Sequence, residues 1–562
     1  MLATWGTSTG INPATLFAAG EQGAWYDPSD YSTLFQDSTG TTPVTAVEQA
    51  VGLILDKSKG LVLGPELVTN GDFSSGTGWT TGGGWAIGSG VATATSTSTT
   101  LVGSSYPVVG GRGYRVEFDV VTITGGTLFV RVGQGTAQTF TTTGRKTCIL
   151  YSTDTTGIEF YGGTVSCSID NISVRELAGN HAIQPTSASR PTLRARYNLL
   201  TYSEQFDNAA WTKTNLNTTG TPAYVNVAVA PDGTTTADKL IANTTSGLHF
   251  YRQNIATLAG SYTMSVYAKA AEYTGLWLSM DGGSNYGLFT LTGAGTATAT
   301  IGTATITAVG NGWYLCTHTA TRVAGTAVLF FAAANPPGTL SFAGNDSDGI
   351  LLWGADFRAA NDIASGIPSY QRIAAATDYD TVGFPVYLAF DGSDDSLLTA
   401  SVNFTGTDKM TVFSGLSKLS DAAQGAVVEL SATIASNNGT FLLAAPNSAA
   451  ANYNFSSKGT TQVDNTVTTY TAPITNVVTG QGDISAPSNV IRVNGAQVGS
   501  VSTTQGTGNF GNYPLYIGRR NNATIPFNGR IYSLIVRGAA SNSTQIAQTE
   551  RWVAAKTPLG TL

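Results

Sequence analysis

At 562 residues the chain is too long for one hydrophobic core, so two to four domains are expected. Charged residues are only 11% against an apolar fraction of 41%, with 66 glycines, which disfavours disorder and long surface helices and favours β-structure rich in turns. A net charge of −7 without a basic run argues against nucleic acid as the partner, and no stretch has the length of a membrane span.

Met1 to Ala14 has neither a basic nor an apolar signal region, so export by a signal peptide and membrane insertion are not expected. Asn12-Pro13 followed by Ala14 to Ala19 and Gly20 predicts a short helix capped by Asn and Gly, and residues 1–20 are a candidate attachment arm. Gly6-Thr7-Ser8-Thr9-Gly10 matches the G-x-S-x-G nucleophile pattern but lacks its strand-turn-helix context.

Between the two ends of the chain the pattern is period two. Tyr114, Val116, Phe118 and Val120 alternate with Arg115, Glu117 and Asp119, and Leu128-Val130-Val132, Ile172-Val174 and Ile531-Leu534 behave alike, which predicts half-buried antiparallel strands. Short strands separated by Gly, Asn and Asp turns are the mark of sandwiches or jelly rolls. An internal repeat is visible: Leu67 to Trp79 and Leu199 to Trp211 share their spacing, with Phe73 and Phe206 between. At the other end Asn542 to Lys556 predicts a helix presenting Ile546, Glu550, Trp552 and Val553, stopped by Pro558.

Several segments carry family likeness. Asn198 to Lys213 (NLLTYSEQFDNAAWTK), Pro231 to Leu240, Tyr262 to Ala270, Gly312 to Thr319 and Ile350 to Phe357 resemble carbohydrate-binding-like modules of phage virion proteins. Asn70 to Trp79 and Ile169 to Leu177 resemble the first and last strands of jelly-roll carbohydrate-binding modules. Tyr387 to Leu397, Ile491 to Ser500, Tyr513 to Arg520 and Phe527 to Gly538 resemble laminin-G or concanavalin-like sandwiches. In that family GAWYDPSDYSTLFQDSTG, DKS, GNHA and RPTL precede the FDG strand, whereas here Asp56-Lys57-Ser58 is cut from Gly179-Asn180-His181-Ala182, and Arg190-Pro191-Thr192-Leu193 from Phe390-Asp391-Gly392.

The expected architecture is therefore all-β and multi-domain: a discontinuous concanavalin-like sandwich (21–62, 178–197 and 378–562) with inserted jelly rolls at 65–177 and 198–375. A linear string of three independent domains is the competing arrangement. The resemblance implies a non-enzymatic virion structural protein on the particle surface, an adhesin of tail fibre, baseplate or head fibre binding host glycan. It would contact other virion proteins and form a homo-oligomer, as fibre-like components often form trimers. A decoration protein without glycan binding and a tail glycan hydrolase are the alternatives.

Sugar binding calls for flat aromatics flanked by hydrogen-bonding groups, which makes Trp79, Trp85, Trp211, Trp277 and Trp353 candidates. Core packing competes at each, and Trp79 and Trp211 occupy equivalent repeat positions, while Trp85 follows Gly82-Gly83-Gly84 in an expected exposed loop. No cofactor is required, but Asp391, Asp394 and Asp395, and likewise Asp346 and Asp348, offer hard oxygens for a structural Ca²⁺, with Asx turns as the competing reading. Gly506 to Gly511 matches a dinucleotide fingerprint but precedes a strand, so a Gly-rich hairpin loop is expected. Cys316 and His318 share a strand face and read as packing residues; Cys148 and Cys167 lie in one module and are close enough in sequence to pair.

Overall fold

Period-two patterning becomes strand pairing along almost the whole chain. The computed structural model describes residues 11–103, 108–362 and 367–562, so Gly6 to Gly10 and the first half of the 1–20 arm lie outside the described residues. The named strands all pair antiparallel, and the fold is all-β, built from several packed sheets. In Gly113–Gly125 the alternation is literal: Tyr114, Val116, Phe118 and Val120 are buried while Arg115 is exposed, and Glu117 and Asp119 are half-exposed.

One two-sheet unit draws its strands from three separated stretches. Its first sheet orders Thr192–Arg194, Tyr387–Asp391, Asn528–Arg537, Lys409–Lys418, Ile474–Asp483, Ser488–Val493 and Ala496–Val501, with Gly23–Tyr26 also on Asn528–Arg537. Its second orders Leu34–Phe35, Leu53–Ile54, Ala182–Ile183, Leu397–Asn403, Asn512–Ile517, Ala426–Leu430, Thr440–Ala444, Asn452–Lys458 and Gln462–Thr468. The inward faces close over Leu416, Phe441, Phe455, Phe510 and Ile491. Gly506 to Gly511 lies between Ala496–Val501 and Asn512–Ile517, which belong to different sheets, so it crosses between layers and closes no hairpin.

The stretch between Ile54 and Ala182 forms its own pair of sheets, hereafter the first module, around Phe118, Val130 and Phe160. That between Arg194 and Ile373 forms another, the second module, around Phe206, Leu276, Phe331 and Phe357. The repeat has a shared structural role. Trp79 Nε1 donates to Asn70 O (3.0 Å) with its ring 4.9 Å from Phe73, and Trp211 Nε1 donates to Tyr202 O (2.9 Å) with its ring 4.8 Å from Phe206. Each tryptophan thus pins the loop that opens its module to the core.

The helices differ in extent from expectation at one end. Asn12 caps Ala14 N (3.1 Å), but the helix is a 3₁₀ turn, Pro13–Leu16, because Phe17 already turns extended to bury against the sandwich. The C-terminal helix is Ser543–Ala554, started by a reciprocal cap between Asn542 and Gln545. It lies on the sandwich through Trp552, which meets Trp25 edge-on at 5.5 Å. Among the described residues no helix is long and apolar enough to cross a membrane. Cys148 and Cys167 are buried free thiols, so they do not pair.

Each module hangs from the sandwich at a point where two chain passes are tied by buried side chains. At the first, Asp56 Oδ1 accepts from Trp25 N and Ser58 N (2.8 Å each) and Oδ2 from Asn180 N (2.7 Å). His181 Nδ1 accepts from Asp56 N (2.9 Å), which leaves Nε2 as the proton carrier, 3.1 Å from Leu177 O. At the second, Asn198 Oδ1 accepts from Leu200 N and Phe357 N, and its Nδ2 donates to Ala355 O and Gln371 O. Gln371 Oε1 accepts from Tyr197 N and Asn198 N, while its Nε2 donates to Ala195 O and Asp380 O.

Asn198 is fully buried, so truncation strands two N–H groups and two carbonyls in the interior. Asn198→Ala is expected to destabilise the chain by ~4 kcal/mol, read as a lowered denaturation midpoint; an unchanged midpoint would show that the clamp carries little of the stability.

Candidate functional site

None of the tryptophans proposed as sugar platforms offers a ring face to solvent. Trp79, Trp85, Trp211, Trp277 and Trp353 are at most 9% exposed. Trp85 is the clearest correction: it begins the strand Trp85–Gly88, faces the first module's core and donates Nε1 to Thr99 O (3.1 Å). Gly84, at φ +88°, turns the chain inward there, so the preceding glycines aim the indole into the core. Trp277 is closed in by Tyr286 and Phe330, and Trp353 by Tyr267 and Tyr370 with Nε1 on Thr236 Oγ1 (3.0 Å). Core packing is the role of all five. Cys316 and His318 are buried too, the latter with Nε2 2.9 Å from Asn285 Oδ1.

An aromatic platform exists elsewhere, on the outer face of the first module. Its five-stranded sheet, counted among the described residues, orders Gln138–Phe140, Leu128–Val132, Ile158–Gly162, Leu101–Gly103 and Trp79–Thr81. Leu128, Val130, Val132, Ile158 and Phe160 point into the core, so alternation turns Phe129, Arg131, Glu159 and Tyr161 outward. The register sets Phe129 opposite Tyr161 and Arg131 opposite Glu159. The two half-buried rings are stacked, with centroids 5.2 Å apart and planes 17° from parallel.

A polar corner adjoins the rings. The Arg131 guanidinium lies over Tyr161, 5.0 Å from its centroid, and Nε donates to Glu159 Oε2. Gln134 Nε2 donates to the same oxygen at 2.9 Å. Gly133 places Gln134: at φ +53°, a Cβ there would come within 2.5 Å of Ser152 Cβ. The site therefore joins a flat apolar surface to a fixed guanidinium, carboxylate and amide. These residues escaped the sequence reading although the signal was present, since Leu128-Val130-Val132 facing inward obliges Phe129 to face out.

The three aspartates do come together. Asp391, Asp394 and Asp395 bring ligand oxygens within 4.8 Å of one another, the one such group of three among the described residues, so Asp346 and Asp348 belong to no such group. Asp391 ends its strand and accepts from Ser393 N (2.7 Å); Asp394 accepts from Ser189 Oγ (2.6 Å); Asp395 accepts from Asp391 N (3.1 Å). Burial, and then the neighbouring Asp391 and Asp394 charges, push the Asp395 carboxyl up to about 7. Asp391 and Asp395 line a groove of about 810 Å³ between the sandwich and the second module, shared with Arg194, Arg196 and Glu48. Crowded carboxylates with no salt-bridge partner among the described residues form a donor set that fits a hard divalent cation such as Ca²⁺.

No protein-family model and no curated protein sequence matches the chain. Among solved structures it is similar to the CBM40 of Ruminococcus gnavus IT-sialidase, with TM-score 0.22 and 16% identity over 25% of this chain and 83% of that one. The same CBM40 bound to α2,3-sialyllactose gives TM-score 0.21 and 17% identity over 25% and 82%. The binding domain of botulinum neurotoxin DC in complex with SialylT gives TM-score 0.24 and 10% identity over 30% of this chain and 43% of that chain.

The aspartate cluster yields a signed pH effect. Because the Asp395 carboxyl titrates at about 7 in the folded chain against an ordinary 3.8, the folded state holds the extra proton across that window and stability falls as pH rises through it. Asp395→Asn should therefore be more stable than the native chain above pH 7, the difference closing toward pH 3.8, with millimolar Ca²⁺ narrowing the gap by stabilising the native chain alone. Coincident pH–stability curves for the two proteins would contradict the crowding.

Proposed function

We propose that the chain is a non-enzymatic adhesin of a bacteriophage particle that binds host-surface carbohydrate through the outer face of its first module. The observation that carries the reading is the stacked Phe129–Tyr161 pair, held half-exposed beside Arg131, Glu159 and Gln134. Pyranose rings have apolar C–H faces that pack on such rings and hydroxyls that seek such polar groups. The sequence likeness to phage virion modules supports display on the particle surface, next to other virion proteins and in a homo-oligomer, where several weak sites gain by acting together.

In this reading the concanavalin-like sandwich is the scaffold and 65–177 and 198–375 are its inserted modules. The meeting of Asp56 with Asn180 and His181, and of Thr192–Arg194 with Tyr387–Asp391, supports that division. The second module serves as a spacer, since its tryptophans are spent on its cores. A Ca²⁺ at Asp391, Asp394 and Asp395 would have a structural part, neutralising the turn that borders the groove. Hydrolysis is the weaker reading. A glycosidase places its carboxylates on either side of the scissile bond, whereas these three acids come from one turn, and Glu48 is engaged by Arg194 (3.0 Å) and the Tyr379 hydroxyl (2.7 Å).

Glycan-array binding of the whole chain tests the reading. Tyr161→Ala and Phe129→Ala should each weaken the leading glycan by about tenfold, ~1.4 kcal/mol, without lowering the thermal midpoint much, because both rings lie outside the core. Unchanged binding in both variants would move recognition away from this face.

A further inference from the structure

The charge layout of the platform identifies the kind of glycan it takes, an inference that rests on the adhesin reading. The strands of the platform sheet carry two charged residues, Arg131 and Glu159, and these cancel. The module's other strand ion pairs, Arg115–Glu117, Arg145–Glu117, Arg145–Asp119 and Arg175–Glu66, belong to the opposite sheet and not to this one. Glu159 is only 6% exposed and sits under the site, and Arg131 is committed to it through Nε while its plane rests on Tyr161.

An incoming carboxylate would meet a cation that already has a counter-ion and would approach a poorly solvated anion, Glu159, whose field water screens weakly. A neutral sugar meets no such opposition. Its C–H face covers Phe129 and Tyr161, and its hydroxyls reach Gln134 and the outer edge of the guanidinium. We propose that the platform is selective for uncharged saccharides, meaning pyranosides without carboxylate, sulfate or phosphate, and that Glu159 is the residue that sets this selectivity by occupying Arg131.

The test uses the intact chain on an array pairing neutral oligosaccharides with counterparts that carry a terminal sialic or uronic acid, read at low and at high NaCl. The expected result is binding to the neutral members, changing less than about twofold with salt, because no net charge is matched at the site. Glu159→Gln, which keeps the side chain's shape and releases Arg131, should raise affinity for the acidic members by about tenfold. Preference of the native chain for acidic members, with binding lost at high salt, would overturn the proposal and leave the adhesin reading standing. Absence of binding to any member would overturn both, and Tyr161→Ala without effect on a neutral hit would show that the hit is bound elsewhere. The native comparison is decisive even if Glu159→Gln fails to fold.

Discussion

Where a chain leaves one core, builds another and returns, the crossing strands must satisfy their backbone groups without a sheet to pair with. Buried polar side chains solve that problem here. Asp56 and His181 tie the two passes of the first module, and Asn198 and Gln371 those of the second, each accepting or donating to main-chain groups of both passes. Such groups are costly to strand, so each root is held by a fixed set of buried hydrogen bonds. Arg530 reinforces the second root, reaching Asp362 at 2.9 Å between the rings of Tyr197 and Tyr387.

The two sheet faces of the first module differ in character, and the outer one bears the Phe129–Tyr161 stack. Apart from Arg131–Glu159 the strand ion pairs of the module gather on the other sheet, so one face repels association through solvated charge while the other is left nearly neutral and partly apolar. The proposed specificity comes less from added contacts than from the carboxylate of Glu159, which engages Arg131 and removes it from competition.

The all-β class was legible because period-two alternation survives in single strands, as at Tyr114 to Val120. The repeat was legible too, and its physical sense is the indole of Trp79 or Trp211 bonding back to the loop nine residues earlier. The residues of the proposed platform were harder. Reading tryptophan as the sugar-stacking residue failed because large rings are the best core fillers, and Gly84 turned Trp85 inward against the expectation set by its glycine-rich flank. Phe129 and Tyr161 lie 32 positions apart, and only the pairing of their strands makes them one surface, something composition and spacing do not encode. The aspartates of the FDGSDDS turn were legible as a cluster because a single turn gathers them within five residues.

Hydrogen–deuterium exchange of the whole chain with and without a saturating neutral oligosaccharide would locate the recognition face. Added protection is expected in peptides covering 128–132 and 158–162, with the sandwich groove around 190–196 and 391–395 unchanged. Protection confined to that groove, or to the second module, would contradict the assignment of recognition to the first module's outer face.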